Sequence, residues 1–85
     1  MKKINPFNEF TVTELTDIIN DTIFDKEWDR DIALNVYVRS MTGERCAEVM
    51  NIDLKTVQKR TPKIRDRMCA TIFRRQLSEI GEKRR

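Results

Sequence analysis

Hydrophobic side chains recur every three or four residues along most of the chain, which is the spacing of amphipathic helices. The first such stretch forms a single apolar stripe made of Val12, Leu15, Ile18, Ile19 and Ile23. Thr11 precedes this stripe and Glu14 follows three residues later, which is the pattern of a capping box. We therefore predict that helix one begins after Thr11 and ends near Phe24.

The second stretch is apolar on nearly all sides of its helix. Its members are Trp28, Ile32, Ala33, Leu34, Val36, Tyr37, Val38 and Met41. Asp25 is the predicted N-cap, because an aspartate side chain accepts hydrogen bonds from free backbone N–H groups. Glu27 and Asp29 then lie in the first turn, where negative charge favours the helix dipole. Since a helix that is apolar all round must be packed on several sides, we expect helix two at the centre of the fold.

After Thr42 and Gly43 the chain has the spacing of two short helices joined by a turn. Helix three is predicted from Glu44 to Met50, and Asp53 is the predicted cap of helix four. In a helix-turn-helix the fifth position is small, the ninth turns, and the fourth, eighth, tenth and fifteenth are apolar. Counted from Gly43, these positions hold Ala47, Asn51, Cys46, Met50, Ile52 and Val57. We therefore predict a helix-turn-helix at about residues 43–61, the unit that places a recognition helix in the DNA major groove.

Pro62 interrupts the last apolar stripe, which continues at Ile64, Met68 and Ile72. A proline inside a helix removes a hydrogen bond and crowds the preceding turn, at a cost of about 3 kcal/mol. The helix could bend near Thr61, or a fifth helix could begin with Pro62 in its first turn. We favour the second outcome, because Thr-Pro is a good start signal. The recognition helix would then span only Leu54 to Arg60.

A second apolar row follows at the C-terminal end of the chain, made of Cys69, Phe73, Leu77 and Ile80. With this row, the apolar surface of the last helix is broader than one small partner surface would cover, which indicates a dimer contact or a docking site. The alternative, that helix one covers the row, is equally open. Gly81 is the predicted end of this helix.

These elements together predict an all-α fold, a bundle of four to five helices that contains the helix-turn-helix. Residues 1–10 are expected to form an N-terminal arm, residues 11–80 one helical domain and residues 81–85 a basic tail. Both cysteines, Cys46 and Cys69, lie on apolar helix faces and are expected to be small buried hydrophobes.

The chain has 85 residues and a net charge of +3, and this charge is unevenly distributed. Residues 1–42 carry five lysines and arginines against eight acids, whereas residues 43–85 carry twelve against six. The half with the helix-turn-helix spacing is therefore the basic one, as expected of a protein that binds a polyanion, although any solvated basic helix face would also produce this split.

Other classes of function have little support in the sequence. The chain has no histidine and no CxxC pair, so a zinc site lacks ligands and we expect neither a metal nor a cofactor. No nucleophile has a nearby base and there is no glycine-rich phosphate loop, so we expect no catalysis. The longest uncharged stretch is too short to cross a bilayer and the start lacks a signal-peptide core, so we expect a cytosolic protein.

The stretch DIALNVYVRSMTGERCAEVMNIDLKTVQKRTPKIRDRM, residues 31–68, resembles region 4 of sigma-70-type RNA polymerase sigma factors and related small transcription regulators. In both, a helix leads into a glycine, an alanine-containing helix, a short turn and a helix that begins with Thr-Val. The chain departs from that pattern at Asn51, where glycine is usual, at Leu54, where serine or threonine is common, and at Pro62. It has no room for a region 2, so the resemblance implies a free-standing regulator.

A recognition helix at this position implies two sets of DNA contacts. The residues facing base edges would be Leu54, Lys55, Gln58 and Lys59. Gln58 suits adenine, Lys59 suits guanine, and Leu54 suits a thymine methyl group. The phosphate contacts would be Arg45, Arg60, Lys63 and Arg65, with Lys55 able to serve in this set too. The partner would be double-stranded DNA. The alternative is an adaptor that uses the same fold to bind RNA polymerase or another protein, with a possible homodimer through the C-terminal helix.

Overall fold

The structure, a computed structural model, describes Phe7 and residues 9–83, with side chains up to Ser78. Four α-helices and one π-helical turn account for about three quarters of this part of the chain, and none of it is a strand. The elements are α1 (Val12–Asp21), α2 (Asp29–Ala33), the π-helical turn (Leu34–Val38), α3 (Gly43–Met50) and α4 (Leu54–Lys83). The prediction of an all-α fold is confirmed.

Helix α1 begins as its capping box predicts. The Thr11 hydroxyl accepts from the Glu14 backbone N–H at 3.1 Å, and the Glu14 carboxylate accepts from the Thr11 N–H at 2.9 Å. The helix ends at Asp21 rather than near Phe24, because Thr22 is extended and its hydroxyl is bonded inside the fold. The buried stripe is correspondingly narrower than predicted: Val12 is 61% exposed and Ile23 is 80% exposed.

The second helix begins three residues later than predicted. Its first residue is Asp29, and Trp28 holds the cap position without a side-chain bond, so the prediction of Asp25 as the N-cap is wrong. Asp25 instead accepts a 2.6 Å hydrogen bond from Arg67 of α4. The Asp29 carboxylate is turned inward and accepts from the Lys26 backbone N–H at 3.1 Å. The Asp25 carboxylate, which the local pattern assigned to capping, therefore binds Arg67 from a distant part of the sequence instead.

The end of the second helix is wider than an ordinary α-helix. The Arg39 N–H donates to the Leu34 carbonyl five residues back, and Ser40 then adopts a left-handed φ of 56°. The helical path thus ends at Val38, before the predicted Met41. Its central position is confirmed, because α2 and the π-helical turn together pack against α1, α3 and α4.

The connection between α3 and α4 follows the sequence closely. Thr42 caps α3 by accepting from the Arg45 N–H at 3.1 Å. Asn51 ends α3 with φ 56° and ψ 46°, the left-handed conformation that asparagine tolerates. The Ile52 N–H donates to the Ala47 carbonyl, and the Asp53 carbonyl accepts the first hydrogen bonds of α4 from Thr56 and Val57. The two helices are therefore joined by the three residues 51–53, as predicted.

Helix α4 runs unbroken from Leu54 to Lys83, so the prediction of a new helix at Pro62 is wrong. The proline lies on the exposed side, where water can hydrate the carbonyl that its missing N–H leaves free. Buried residues on both sides of it, Val57 and Ile64, hold the two halves against the same core. The helix also continues through Gly81, which does not end it.

The core reaches further toward the N-terminus than predicted. Phe7, assigned to an arm, is only 1% exposed and packs edge-on against Tyr37, with ring centroids 4.9 Å apart. Residues 1–6 and 8 of that arm lie outside the described residues, as do residues 84–85 of the predicted tail. Cys46 is buried as predicted, whereas the prediction for Cys69 is wrong because it is exposed. None of the described helices is both long and apolar enough to cross a membrane.

Candidate functional site

The first three turns of α4 carry a set of exposed polar and basic side chains. We call it the basic surface, and its members are Lys55, Gln58, Lys59, Lys63 and Arg65. At 3.6 residues per turn, Lys55 and Lys59 lie on the side opposite the buried Val57, and Gln58 lies about 100° around the helix from it. No ion pair involves these four cations within the described part of the chain, so their charges face solvent.

Helix α3 lies against the start of the same segment. A Cβ on Gly43 would lie 3.5 Å from Leu54 Cδ1 and 3.8 Å from Val57 Cγ1, which are ordinary van der Waals contacts. The first residue of α3 therefore touches the first turn of α4. This contact also covers part of Leu54, which is only partly exposed and packs against the core. Leu54 is thus less accessible than the neighbouring Lys55, although both were predicted to contact bases.

Arg45, predicted to contact phosphate, lies on the exposed side of α3. Its guanidinium donates to the Glu48 carboxylate at 3.1 Å, and the two side chains are 64% and 70% exposed. Such an exposed pair contributes at most about 1 kcal/mol. Arg45 is therefore held only weakly by this contact and can exchange Glu48 for another anion.

Arg60 is placed quite differently from its prediction as a phosphate contact. Its guanidinium forms a two-pronged ion pair with Asp29, with Nε to Oδ1 at 2.9 Å and Nη2 to Oδ2 at 2.7 Å. Arg60 is 8% exposed and Asp29 is 1% exposed. The hydrogen bonds from Arg60 to Asp29 raise the pKa of the guanidinium further above its already high value. Arg60 is thus an internal residue that joins α4 to the start of α2, and its predicted role is corrected.

Three further arginines of α4 also contact acids of the first half. Arg67 pairs with Asp25 at 2.6 Å. Arg74 and Arg75 both pair with Asp21, at 3.3 Å and 3.1 Å. The opposite charges of the two halves are therefore partly compensated inside the molecule. Among the described side chains of residues 43–78, the cations without an ion pair are those of the basic surface, so the surface available to an anion in this half is smaller than the charge split of the sequence indicated.

The Asp29–Arg60 pair was missed at the level of sequence. Its members are 31 residues apart, and Asp29 has a sufficient local explanation as an acid in a first helical turn. The only available signal was positional: Arg60 lies three residues after Val57 and four before Ile64, both predicted core positions. A charged residue on the core side of a helix requires a buried partner of opposite charge.

The predicted C-terminal row is also exposed. Phe73 is 61% exposed and Leu77 is 53% exposed, and Cys69 lies in the open as well. Helix α1 does not cover these residues, so that alternative is wrong for the described part of the row. The Ile80 side chain lies outside the described residues.

The buried thiol has the surroundings of a structural cysteine. Burial raises the pKa of Cys46, which outweighs the opposing hydrogen bond from the Asn35 amide. A raised pKa keeps the thiol protonated and poorly nucleophilic. Among the described side chains, no group of three or more histidines, cysteines, aspartates or glutamates is arranged to hold a metal ion.

Comparison with known proteins returned no relative of this chain. It matches no protein-family model, no curated protein and no solved structure.

Proposed function

We propose that this protein binds double-stranded DNA in a sequence-specific manner and thereby regulates transcription. The observation that carries the proposal is the basic surface at the start of α4, directly after the three-residue turn that follows α3. Its cations face solvent, whereas Arg60, Arg67, Arg74 and Arg75 are held by acids of the same chain. Free positive charge is thus concentrated where a recognition helix would meet DNA.

Within this proposal the basic surface divides into two roles. Gln58 and Lys59 contact base edges, because a glutamine side chain pairs with adenine in two hydrogen bonds and a lysine pairs with guanine. Lys55 lies one turn earlier on the same side and reaches either a base or a phosphate. Lys63 and Arg65 contact phosphates, and Arg45 joins them from α3. Arg60 and Leu54 contribute by holding the helix in place.

The regulatory part of the proposal is supported by sequence resemblance. Residues 31–68 resemble region 4 of sigma-70-type factors and related small regulators, and the observed order of helix, glycine, helix, turn and helix agrees with that pattern. The fully helical path through Pro62 gives the recognition segment a rigid continuation.

The proposal is tested by selecting bound duplexes from a random library and then measuring affinity for the selected site. The double variant Gln58→Ala/Lys59→Ala should lose at least about tenfold in affinity, because each good base contact is worth about 1–3 kcal/mol. A matched control is Arg74→Ala/Gln76→Ala, which removes the same kinds of side chain from the same helix about four turns later. The control should bind the selected site like the unaltered protein.

Salt dependence separates the phosphate contacts from the base contacts. Log affinity should fall linearly with log salt concentration, and Lys63→Ala should reduce that slope by about 0.9. Gln58→Ala alone should weaken binding without changing the slope, since it removes no charge. If the variant Gln58→Ala/Lys59→Ala binds the selected site as tightly as the unaltered protein, the start of α4 is not the recognition surface.

The alternative function is that of an adaptor that binds a protein, such as a subunit of RNA polymerase. The observation that favours it is the exposure of large apolar side chains, including Trp28 at 42% and Ile23 at 80%, in the segment between α1 and α2. An adaptor would fail to retard any duplex even at low salt and would form a complex of fixed stoichiometry with purified polymerase. Retardation of a selected duplex at physiological salt would reject it as the main function.

A further inference from the structure

Arg39 is an exposed arginine that is held by a buried neutral side chain. It follows directly after the π-helical turn, and its guanidinium Nη1 donates to the Asn35 Oδ1 at 2.5 Å. Asn35 is only 3% exposed. Within the described residues no carboxylate forms an ion pair with Arg39, in contrast to Arg60 and Arg67. Its guanidinium therefore carries an uncompensated charge, and most of its N–H donors are free to bind a ligand.

Asn35 is in turn fixed by the surrounding fold. Because a guanidinium only donates hydrogen bonds, the amide oxygen of Asn35 faces Arg39 and the amide nitrogen faces α3, where it donates to the Cys46 Sγ at 3.8 Å. The Asn35 backbone carbonyl accepts from the Met41 N–H at 2.9 Å. Folding thus orders the Arg39 side chain in advance, so a ligand that binds it has less side-chain entropy to remove.

The end of the π-helical turn lies on the Arg65 side of α4. Tyr37, two residues before Arg39, is near enough to Arg65 that this positive charge opposes the rise in the Tyr37 pKa that burial causes. Arg65 belongs to the basic surface and has no ion pair among the described residues. Arg60 and Arg67, which bind acids, lie about 140–160° around the helix from Arg65. Arg39 and Arg65 are therefore free cations on the side of α4 that faces away from those acids.

This position suits the geometry of a recognition helix in a major groove. The groove is about 12 Å wide, close to the diameter of a helix with its side chains, so a phosphate backbone runs along each side of the helix. Lys63 lies about 160° around α4 from Arg65, and Lys55 and Lys59 lie between them. Lys63 therefore faces one backbone and Arg65 the other. Arg39 adds a second cation, already ordered, to the side of Arg65.

We propose that Arg39 is a further phosphate contact, on the same DNA strand as Arg65, and that Asn35 is its positioning residue. This inference rests on the proposed function. A guanidinium suits the task because two of its N–H groups can bind two oxygens of one phosphate. Phosphate contacts fix the register of a protein on DNA and carry no base information. Arg39 thus sets affinity and docking, while the selection of bases stays with the start of α4.

The test uses the full chain and the duplex obtained from the library selection. Arg39→Ala should weaken binding about tenfold or more, because it removes a charged hydrogen-bond donor from a phosphate. It should also reduce the slope of log affinity against log salt concentration by about 0.9. The ratio of the affinities for the selected site and for a site with one changed base pair should stay the same.

Arg30→Ala is the matched control. Arg30 is also an exposed arginine without an ion pair in the described part of the chain, but it lines a cleft together with Arg74 and Asp21. That cleft lies on the side of α4 that binds acids, away from Arg65. Arg30→Ala should therefore bind the duplex with the affinity and the salt slope of the unaltered protein.

Asn35→Ala tests the positioning role. It keeps the Arg39 charge, so the salt slope should not change, but the affinity should fall about three- to tenfold because the released side chain must be ordered on binding. In the Asn35→Ala background, Arg39→Ala should then weaken binding less than it does in the unaltered protein. Equal losses in both backgrounds would show that Asn35 only supports the fold. Each variant is checked by its helical circular dichroism, and Asn35→Ser replaces Asn35→Ala if the latter is unfolded.

The outcomes separate this inference from the proposed function. If the unaltered protein binds the duplex and Arg39→Ala binds it with the same affinity and slope, the role of Arg39 is wrong while DNA binding stands. If the unaltered protein binds no duplex, both are wrong. An equal loss in Arg30→Ala and Arg39→Ala would show that exposed arginines attract DNA wherever they lie, which also contradicts a positioned contact.

Discussion

The two sides of α4 use positive charge in opposite ways. Toward the body of the protein, Arg60 is buried on Asp29, and Arg67, Arg74 and Arg75 contact Asp25 and Asp21 at the border of the core. On the exposed side, Lys55, Lys59 and Lys63 extend into solvent. The inner cations are all arginines and this exposed row is all lysine. The planar guanidinium suits a fixed two-pronged pair with a carboxylate, whereas lysine is a flexible point charge.

This difference shows that a count of charges does not measure a binding surface. The second half of the sequence has twelve lysines and arginines, but four arginines of α4 stabilise contacts with the acidic first half. The same split that indicates affinity for a polyanion therefore also holds the two halves of the fold together. If this is correct, removing an inner arginine should lower the stability of the fold, whereas removing an outer lysine should not, and the largest effect is expected first.

The largest effect is expected at the buried pair. Arg60→Ala should lower the free energy of unfolding by about 3–5 kcal/mol, because it leaves the Asp29 carboxylate buried without a counter-charge. Arg67→Ala should cost less than about 1 kcal/mol, since the Arg67–Asp25 pair is half exposed and screened by solvent. Urea unfolding followed by circular dichroism measures both values. Similar losses for the two variants would contradict the distinction between buried and exposed arginines.

An apolar replacement sharpens this prediction. The double variant Asp29→Leu/Arg60→Met removes both charges and keeps similar volumes, so it should recover most of the stability that Arg60→Ala loses. If it is as unstable as Arg60→Ala, the cost comes from lost packing and lost hydrogen bonds, including that from the Lys26 N–H, rather than from an unpaired charge.

An intermediate effect is expected on the exposed side. Pro62→Ala should raise the free energy of unfolding by about 1–3 kcal/mol, because alanine restores the missing N–H of a continuous helix and has a better helix propensity. The variant Lys63→Ala is the control and should change stability by less than about 0.5 kcal/mol, as exposed substitutions usually do. A loss of stability in Pro62→Ala would instead indicate that the proline begins a separate helix.

The smallest effect is expected at alkaline pH and concerns Tyr37, which lies in the π-helical turn near Arg65 of α4. Burial raises the pKa of Tyr37 above its ordinary 10.0, and this outweighs the opposite effect of the nearby Arg65 charge. The folded state therefore resists ionisation of the phenol, so stability that is complete below pH 10 is lost as the pH rises through the folded pKa.

Tyr37→Phe should show a shallower fall in the free energy of unfolding above that pH, because it removes the buried phenol that must ionise. Urea unfolding at neutral and at alkaline pH measures this difference. An identical decline in both proteins would show that other groups, such as the Cys46 thiol, determine the alkaline loss.

The features predicted correctly depend on residues that are close in sequence. The capping box of Thr11 and Glu14 spans one turn, and the left-handed Asn51 ends α3 through its own backbone preference. The positions of α3, the turn and the start of α4 follow from the same short-range rules. The exposed residues of the basic surface were also predicted, because their positions follow from helical periodicity once the core side is known.

The errors arose where distant residues override such local preferences. Asp25 and Asp29 are good capping residues, but arginines on α4 take their carboxylates. Pro62 is a good start signal, but Val57 and Ile64 fix both halves of α4 on one core. Phe7 lies between Pro6 and Asn8, which disfavour helix, yet its ring packs against that of Tyr37. In each case a tertiary contact is worth more than a preference of about 1–3 kcal/mol.

The sequence by itself determined the helical class, the turn at Asn51 and the exposed polar and basic side chains at the start of α4, because each depends on spacing within a few residues. The tertiary structure alone decided which cations are free to bind. Arg60 pairs with Asp29, which is 31 positions away in the sequence, and a pattern of neighbouring residues cannot reveal a contact over that separation. It also left Phe73 and Leu77 uncovered, since α1 ends at Asp21 and packs on the opposite side of α4.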